Sequence, residues 1–199
     1  ASESMVPIRL NYSDWSWPLV PETCPCDLHF LEYLRANRVR DKSIFHFGTG
    51  AHHILGRRNL EAGGPNEILA ITASPPEYYH YVQFVIDHPA AARTYKVVFG
   101  DIYTLTPRSI PSFDLVTLFH LCEFYDEERS AYAQLNDSSL PALFLSKLNP
   151  GGRIFFYKES SHFARARAII EGFVGRGELA EMDEYRTLLV CGKPPLPPD

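Results

Sequence analysis

Short apolar runs alternate with amphipathic segments along this chain, and the alternation predicts an α/β fold. Seven runs have the length and composition of strands: 44–47, 67–72, 95–99, 113–119, 153–157, 178–184 and 187–191. Helical spacing of apolar residues predicts helices over 26–39, 51–62, 75–87, 139–148 and 162–174. Most strand runs lack polar alternation, which is typical of parallel strands buried on both faces. The last two runs lie too close together for a helical crossover, so one of them must be antiparallel.

Local sequence signals define the end of the first strand and the start of the third helix more closely. The first strand runs directly into a glycine turn within the segment 43–51, SIFHFGTGA. Gly48 and Gly50 let the backbone turn sharply and let a ligand approach where a Cβ would collide. The N–H groups that open the following helix are then expected to face an anionic or carboxylate group, although such a turn often binds nothing. Ser74, followed by two prolines, is predicted to cap the third helix.

The chain divides into an N-terminal arm, 1–25, one α/β domain, 26–193, and a proline-rich tail, 194–199. The arm contains both tryptophans, Trp15 and Trp17, and we expect it to pack over the domain, with a lid over a ligand cleft as the alternative. Cys24, Cys26 and His29 indicate a metal site only weakly, because no second pair of ligands follows at a suitable spacing. Buried thiols without a metal are the preferred interpretation.

Composition narrows the class of function. The 199 residues are 45% hydrophobic and 22% charged, as is typical of a globular domain with one core. A formal net charge of −5 argues against a nucleic-acid surface based on bulk charge. No apolar stretch approaches the ~20 residues that span a bilayer, and the N-terminal residues lead us to expect no signal peptide. Four irregularly spaced cysteines do not make a disulfide framework, so the default expectation is a reduced, cytoplasmic protein.

Five segments, in this order, resemble class I (Rossmann-like, seven-stranded) S-adenosylmethionine-dependent methyltransferases: HFGTGAH, ILAITASPPEYY, FGDIYTL, SFDLVTLFHLCEF and LSKLNPGGRIFFY. The closing segment YRTLLVCGKP is similar as well, and the resemblance covers roughly residues 26–193. It implies a three-layer α/β sandwich with a mainly parallel seven-stranded sheet and an antiparallel last strand. It also implies S-adenosylmethionine as the cofactor and methyl transfer to a small-molecule acceptor as the leading function.

Three positions depart from the family's cofactor-binding pattern. His46 stands where the family usually has an acidic residue, His52 replaces the third glycine, and Thr72 replaces the acid that accepts from both ribose hydroxyls. A carboxylate would contribute about 2–3 kcal/mol there, whereas one hydroxyl contributes about 1 kcal/mol. The resemblance implies that Asp101 accepts from the adenine amine and that Ile102 covers the ring. The whole implied cofactor site is His46, Gly48, Gly50, Thr72, Ala73, Asp101, Ile102, Phe119 and His120.

Three interpretations of function follow. In the first, the protein is a methyltransferase in which His120, Glu123 or His52 removes a proton from the acceptor. For any single histidine, a hydrogen-bonded side chain without catalytic duty remains the favoured interpretation. In the second, the domain binds cofactor weakly or not at all and acts as a binding or scaffold partner. In the third, the same crevice holds another ligand, such as a different nucleotide.

Other classes fit less well. A nicotinamide dehydrogenase would also require an acidic residue after the second strand, and no Gly-x-Ser-x-Gly elbow supports a hydrolase. We expect no nucleic-acid or membrane partner, while the tyrosine-rich helix 77–85 would face either the sheet or a second copy in a homodimer. Several aromatic residues would line an apolar acceptor pocket or belong to the ordinary core: Tyr12, Trp15, Trp17, Phe124 and Tyr125.

Overall fold

A seven-stranded sheet lies between two layers of helices in the computed structural model, which describes residues 14–195. The strands are β1 (Ser43–Phe47), β2 (Glu67–Thr72), β3 (Tyr95–Phe99), β4 (Phe113–Thr117), β5 (Leu148–Tyr157), β6 (Ala180–Tyr185) and β7 (Leu188–Gly192). The α-helices are α1 (Cys26–Ala36), α2 (Ile54–Glu61), α3 (Pro75–Asp87), α4 (Leu140–Ser146) and α5 (Phe163–Gly175). Two short 3-10 helices span Pro89–Arg93 and Ile102–Thr104. Residues 1–13 and 196–199, and with them Tyr12 and most of the predicted tail, lie outside the described residues.

The strand order is β3-β2-β1-β4-β5-β7-β6. Strand β7 pairs antiparallel with both of its neighbours, and every other neighbouring pair is parallel. The predicted mainly parallel seven-stranded sheet with an antiparallel last strand is therefore confirmed. The order reverses between β1 and β4, and ligands of open α/β sheets bind beside such a reversal at the carboxyl ends of the strands.

Each face of the sheet has its own apolar core. On one face, α1, α2 and α3 contribute Phe30, Leu55 and Phe84. On the other face, α4 and α5 contribute residues that include Phe144 and Ile170. The three-layer arrangement follows from strands that are apolar on both sides, because each side must be covered to keep it from water.

Several predicted boundaries are wrong, and left-handed backbone conformations explain those of the first two helices. Helix α1 ends at Ala36 rather than at 39, because Arg38 adopts a left-handed φ of 51° and the Val39 N–H bonds to the Leu34 carbonyl. Helix α2 begins at Ile54 rather than at 51, because His53 has a left-handed φ of 46°. Strand β4 is two residues shorter than predicted and β5 begins five residues earlier, whereas β2 and β3 have the predicted bounds.

The predicted cap of α3 is confirmed. The Ser74 hydroxyl accepts from the Glu77 N–H at 3.4 Å, and two prolines occupy the first turn. Between residues 14 and 195, no helix is both long and apolar enough to cross a membrane.

Candidate functional site

A cavity of about 680 Å³ lies at the carboxyl-end edge of the parallel strands. The glycine turn after β1, the segment after β2, Asp101 after β3 and the loop after β4 all contribute to its walls. Its volume falls within the range of small-molecule binding sites. The order of the strands therefore places one cavity where the sequence pattern predicts a ligand.

Most residues of the predicted site meet at this cavity. Seven of the nine predicted cofactor-binding residues line it, together with Glu123 and His52: Gly48, Gly50, Thr72, Ala73, Asp101, Ile102 and His120. The other two, His46 and Phe119, do not line the cavity. Phe119 is buried with its ring 6.0 Å from that of Phe30. His46 is also buried, and its Nδ1 lies 2.7 Å from the Thr117 hydroxyl.

A buried carboxylate that the sequence analysis missed lies beside Thr72. Glu77, only 4% exposed, accepts from the Thr72 hydroxyl at 2.7 Å through Oε2. The Thr49 hydroxyl donates to the same oxygen at 3.4 Å, and the Trp17 N–H donates to Oε1 at 3.2 Å. Burial raises the pKa of this carboxyl, and the donated hydrogen bonds oppose the rise. A carboxylate from the first turn of α3 thus lies beside the position at which the resemblance implies an acid.

The sequence does contain a signal for Glu77. Ser74 and Glu77 form the Ser-x-x-Glu spacing of a capping box, in which the glutamate normally reaches back to the N-cap N–H. Here the Ser74 N–H bonds instead to the Thr72 hydroxyl at 3.1 Å. The glutamate side chain is therefore released from capping and faces the cavity.

A second buried carboxylate lies beside His46, the other position at which a motif acid is missing. Asp27, in the first turn of α1, has one oxygen 3.6 Å from His46 Nε2 and the other 3.8 Å from His52 Nε2. Both distances are too long for hydrogen bonds, and His46 Nε2 has no hydrogen-bond partner among the described residues. His46 Nε2 is therefore a buried polar atom that lies beside a carboxylate without bonding to it.

Burial sets the charges of this cluster. It raises the pKa of Asp27 to about 7. It also lowers the pKa of His46 well below its ordinary value, and burial with the nearby Arg57 lowers the pKa of His52 to about 4. Both histidines are therefore neutral at pH 7 and do not neutralise the carboxylate. A buried, partly ionised acid between neutral imidazoles favours a cationic group.

The glycine turn has the predicted backbone, but it is partly covered. Gly48 and Gly50 have φ values of 86° and 59°. A Cβ at Gly50 would lie only 2.2 Å from His52 Nε2, so the imidazole packs directly on the turn. The expectation that the N–H groups after the turn face a ligand is only partly met. The Ala51 N–H bonds to the Trp17 carbonyl at 2.9 Å, and the Ile54 N–H bonds to His52 Nδ1 at 3.1 Å.

A hydrogen-bonded chain, which begins at His120 beside Gly48, forms a further part of the cavity wall. His120 Nδ1 lies 2.9 Å from Glu123 Oε2, and the Ser160 hydroxyl donates to Glu123 Oε1 at 2.5 Å. Burial alone would lower the pKa of His120, but the hydrogen bond and charge of Glu123 outweigh it and raise the pKa. Burial likewise opposes the ionised form of Glu123, yet the bonds from His120 and Ser160 leave its pKa lowered. Glu123 therefore orients the His120 imidazole through Nδ1, and the bond leaves Nε2 of the ring to contact a ligand.

The described part of the arm forms a strap over the cavity, rather than the packed layer that we expected. The side chains of Trp15 and Trp17 are 75% and 47% exposed, although both contribute to the lining. Polar contacts hold the strap: Trp17 bonds through its N–H and carbonyl, and the Trp15 carbonyl accepts from the Ser74 hydroxyl at 2.6 Å. The lid alternative describes this geometry better than packing does.

The cysteine-histidine pattern does not assemble a metal site in the described part of the chain. No group of three or more His, Cys, Asp or Glu residues there is placed to hold an ion. His29 instead has its Nδ1 2.7 Å from the Thr187 hydroxyl.

No protein-family model matches this chain, and no curated protein matches its sequence. Solved structures do match it. A putative S-adenosylmethionine-dependent methyltransferase from Methanococcus maripaludis has a TM-score of 0.59 at 11% identity, over 88% of each chain. A methyltransferase from Geobacter sulfurreducens, in complex with S-adenosylhomocysteine, has a TM-score of 0.53 at 13% identity, over 86% of this chain and 68% of that one. TrmN from Thermus thermophilus has a TM-score of 0.54 at 16% identity over 82% of this chain, which spans only 47% of TrmN.

Structural similarity at such low sequence identity establishes the fold alone. The function has to be argued from the residues of the site. The strand order, the antiparallel last strand and the cavity beside the glycine turn all agree with these likenesses. This chain has the class I, Rossmann-like fold of S-adenosylmethionine-dependent methyltransferases.

Proposed function

We propose that this protein binds S-adenosylmethionine in the cavity and transfers its methyl group to a small-molecule acceptor. One observation carries the proposal: each of the two positions where a motif acid is missing has a buried carboxylate beside it. Glu77 bonds to Thr72, and Asp27 lies 3.6 Å from His46. Burying a carboxylate costs several kcal/mol unless it is compensated, so two such groups in one cavity favour a ligand with matching donors.

The nucleoside half of the cofactor would be held by Glu77 and Asp101. Of the three donors to Glu77, only Thr72 makes a short bond, and the contacts from Thr49 and Trp17 are 3.4 and 3.2 Å long. Ribose hydroxyls would replace these longer contacts with better ones. The Asp101 carboxylate already accepts from the Tyr103 N–H, and the adenine amine would add a further donor.

The methionine half would lie near the glycine turn. Its α-ammonium group would lie against the Asp27 carboxylate, which lines the cavity together with the neutral imidazole of His52. When bound, the cofactor supplies an electrophilic methyl group on a sulfonium. The contribution of the chain is to hold that group and the acceptor in line, since positioning accounts for much of the rate of such a transfer.

His120 is the residue that we assign as the general base. Glu123 orients the ring through Nδ1, so that Nε2 is the nitrogen that takes a proton from the acceptor. The base works in its neutral form. Because the pKa of His120 is raised, activity is expected to increase with pH through a midpoint above 6.5.

The size and covering of the cavity favour a small acceptor. Its volume of about 680 Å³ holds a cofactor and a compact second molecule, and the strap with Phe124 and Tyr125 adds aromatic walls. The net charge of −5 weighs against a nucleic-acid acceptor.

A second candidate function is that of a ligand-binding domain without methyl transfer. Its specific support is the imidazole of His52, which packs on Gly50 where the family has open space. In that case the methionine end would be closed, and only the nucleoside end would bind.

Calorimetric titration with S-adenosylhomocysteine and with adenosine separates the two functions. The methyltransferase is expected to bind S-adenosylhomocysteine at micromolar concentration and more tightly than adenosine. The closed domain would bind the two ligands equally, and replacing the imidazole in His52→Gly would then restore the preference. His88→Gly, at an exposed position after α3, is the matched control. If neither ligand binds the wild type or His52→Gly, the proposed cofactor is wrong.

A further inference from the structure

Two cysteine thiols lie in contact at the wall of the cavity, immediately before and at the start of α1. The Sγ atoms of Cys24 and Cys26 are 3.6 Å apart. Pro25 separates them and is the N-cap of the helix, with φ fixed near −84°. The Cys24 N–H bonds to the Val20 carbonyl at 2.9 Å. Backbone on both sides therefore holds the two sulfur atoms close to each other.

The two thiols differ in exposure and in charge. Cys24 is half-buried and lines the cavity, whereas Cys26 is only 2% exposed. The hydrogen bond from the Cys26 thiol, with help from the charge of His120, lowers the pKa of Cys24 to about 6. The same hydrogen bond and burial raise the pKa of Cys26 well above its ordinary value. At neutral pH Cys24 is therefore the thiolate and Cys26 the thiol.

This asymmetry matches the chemistry of a redox-active dithiol. A low-pKa, accessible thiolate is the one that attacks an oxidant, and a neighbouring thiol then resolves the product. The remaining cysteines differ in both respects. Cys122 and Cys191 are buried, and burial raises their pKa values to about 11 and about 12.

We propose that Cys24 and Cys26 form a reversible disulfide in response to peroxide, with Cys24 as the attacking residue and Cys26 as the resolving residue. The Cys24 sulfur attacks one peroxide oxygen, the O–O bond breaks, and water leaves after protonation. Cys24 is then a sulfenic acid. The Cys26 sulfur gives up its proton and attacks the Cys24 sulfur, the S–O bond breaks, and a second water leaves. Two thiols are oxidised and one peroxide is reduced to two waters.

The product would be easy to reduce. A disulfide between residues separated by only one residue closes a small ring, and deviation from relaxed disulfide geometry makes the bond more reducible. Pro25 restricts that ring further. Such a bond is suited to a regulatory role rather than to stabilising the fold.

Oxidation would also change the candidate base. The negative charge of Cys24 contributes to the raised pKa of His120. Forming the disulfide removes that charge, so the pKa of His120 falls. The redox state of the cysteine pair would therefore change the pKa of His120 independently of any cofactor.

Mass spectrometry of the whole protein tests the disulfide directly. The reduced protein is treated with hydrogen peroxide, unfolded, and alkylated with N-ethylmaleimide. The expected product has lost two hydrogen atoms, carries no label on Cys24 or Cys26, and carries label on Cys122 and Cys191. Cys24→Ser should leave Cys26 fully labelled, and Cys191→Ser, the matched control, should form the disulfide as the wild type does.

Other products would overturn the proposal. Oxygen atoms added at Cys24 while Cys26 remains labelled would show that Cys26 does not resolve, and a link between two chains would place the partner thiol elsewhere. A second measurement needs no variant: alkylation of the native protein by iodoacetamide should show a half-maximal rate for Cys24 near pH 6. A Cys24 rate that rises only above pH 8 would contradict the assignment of Cys24 as the attacking thiolate.

Discussion

The two ends of the cavity preserve the family's pattern to different degrees. At the proposed nucleoside end, formed by Thr72, Glu77, Asp101 and Ile102, the carboxylate beside the motif position comes from five residues further along the same chain segment. At the histidine end, formed by Asp27, His46 and His52, the acid comes from a different helix and an imidazole replaces a glycine. The difference teaches that a buried carboxylate can lie beside a motif position although the motif residue itself is not acidic.

The largest expected effect concerns the charge at the histidine end. The pKa of Asp27 is raised from 3.8 to about 7, so the native state binds more protons than the unfolded state in that interval. The stability that Asp27 contributes is present below pH 4 and is lost as the pH rises through 7. Asp27→Asn removes this dependence. Relative to the wild type, the variant should gain at most about 4 kcal/mol between pH 4 and pH 8, at 1.36 kcal/mol per pKa unit.

Urea denaturation at several pH values measures this gain. Asp87→Asn, at an exposed position on α3, is the control and should follow the wild type. Parallel stability curves for Asp27→Asn and the wild type would mean that Asp27 is not a strained acid, and the comparison between the two ends would lose its electrostatic basis.

The next effect concerns the nucleoside end. Glu77→Gln keeps the shape of the side chain and removes its charge. Loss of charged hydrogen bonds to the ribose is expected to cost about 2–3 kcal/mol, or roughly 30- to 150-fold in affinity for S-adenosylhomocysteine. Titration calorimetry measures it, with the exposed Glu61→Gln as the control. Unchanged affinity would mean that Glu77 only positions Thr72 and the strap and does not bind the ligand.

A smaller effect measures how firmly His52 occupies the glycine turn. In Gly50→Ala, the left-handed φ of 59° costs about 1–2 kcal/mol, and the new Cβ must also displace the imidazole. In the His52→Gly background only the backbone cost remains, so the double-mutant cycle should show a coupling of about 1 kcal/mol. Thermal unfolding of the four proteins provides the values. Additive costs would show that the imidazole leaves the turn freely, which would favour an open methionine site.

The smallest effect concerns the strap. Ser74→Ala removes both the cap of α3 and the bond to the Trp15 carbonyl, with an expected cost of about 1 kcal/mol. Tryptophan emission should shift as well, because Trp15 and Trp17 are the two tryptophans of the chain. Ser138→Ala, at an exposed position, is the control and should change neither signal. A stability loss without a change in emission would mean that Ser74 caps the helix but does not anchor the strap.

Asp27 and Glu77 show why the candidate site was only partly predictable. Each has an ordinary local explanation, since an acid in a first helical turn complements the dipole and Ser-x-x-Glu is a capping box. Nothing in the local pattern tells whether such a side chain faces water or a cavity. His46 and Phe119 show the converse, because a motif position can be occupied by a buried side chain that does not line the cavity.

The sequence by itself determined the α/β class, the seven strands to within five residues at each end, the glycine turn and the edge of the sheet at which a ligand would bind. These features depend on local periodicity and on backbone conformations that few residue types adopt. Both signals can be recognised in short stretches of consecutive residues. The tertiary structure alone decided that carboxylates from α1 and α3 lie beside the positions of the missing acids, that a strap covers the cavity and that Cys24 and Cys26 line it together with His120. These contacts join residues far apart in the chain, and burial, which only the folded chain creates, sets their charges.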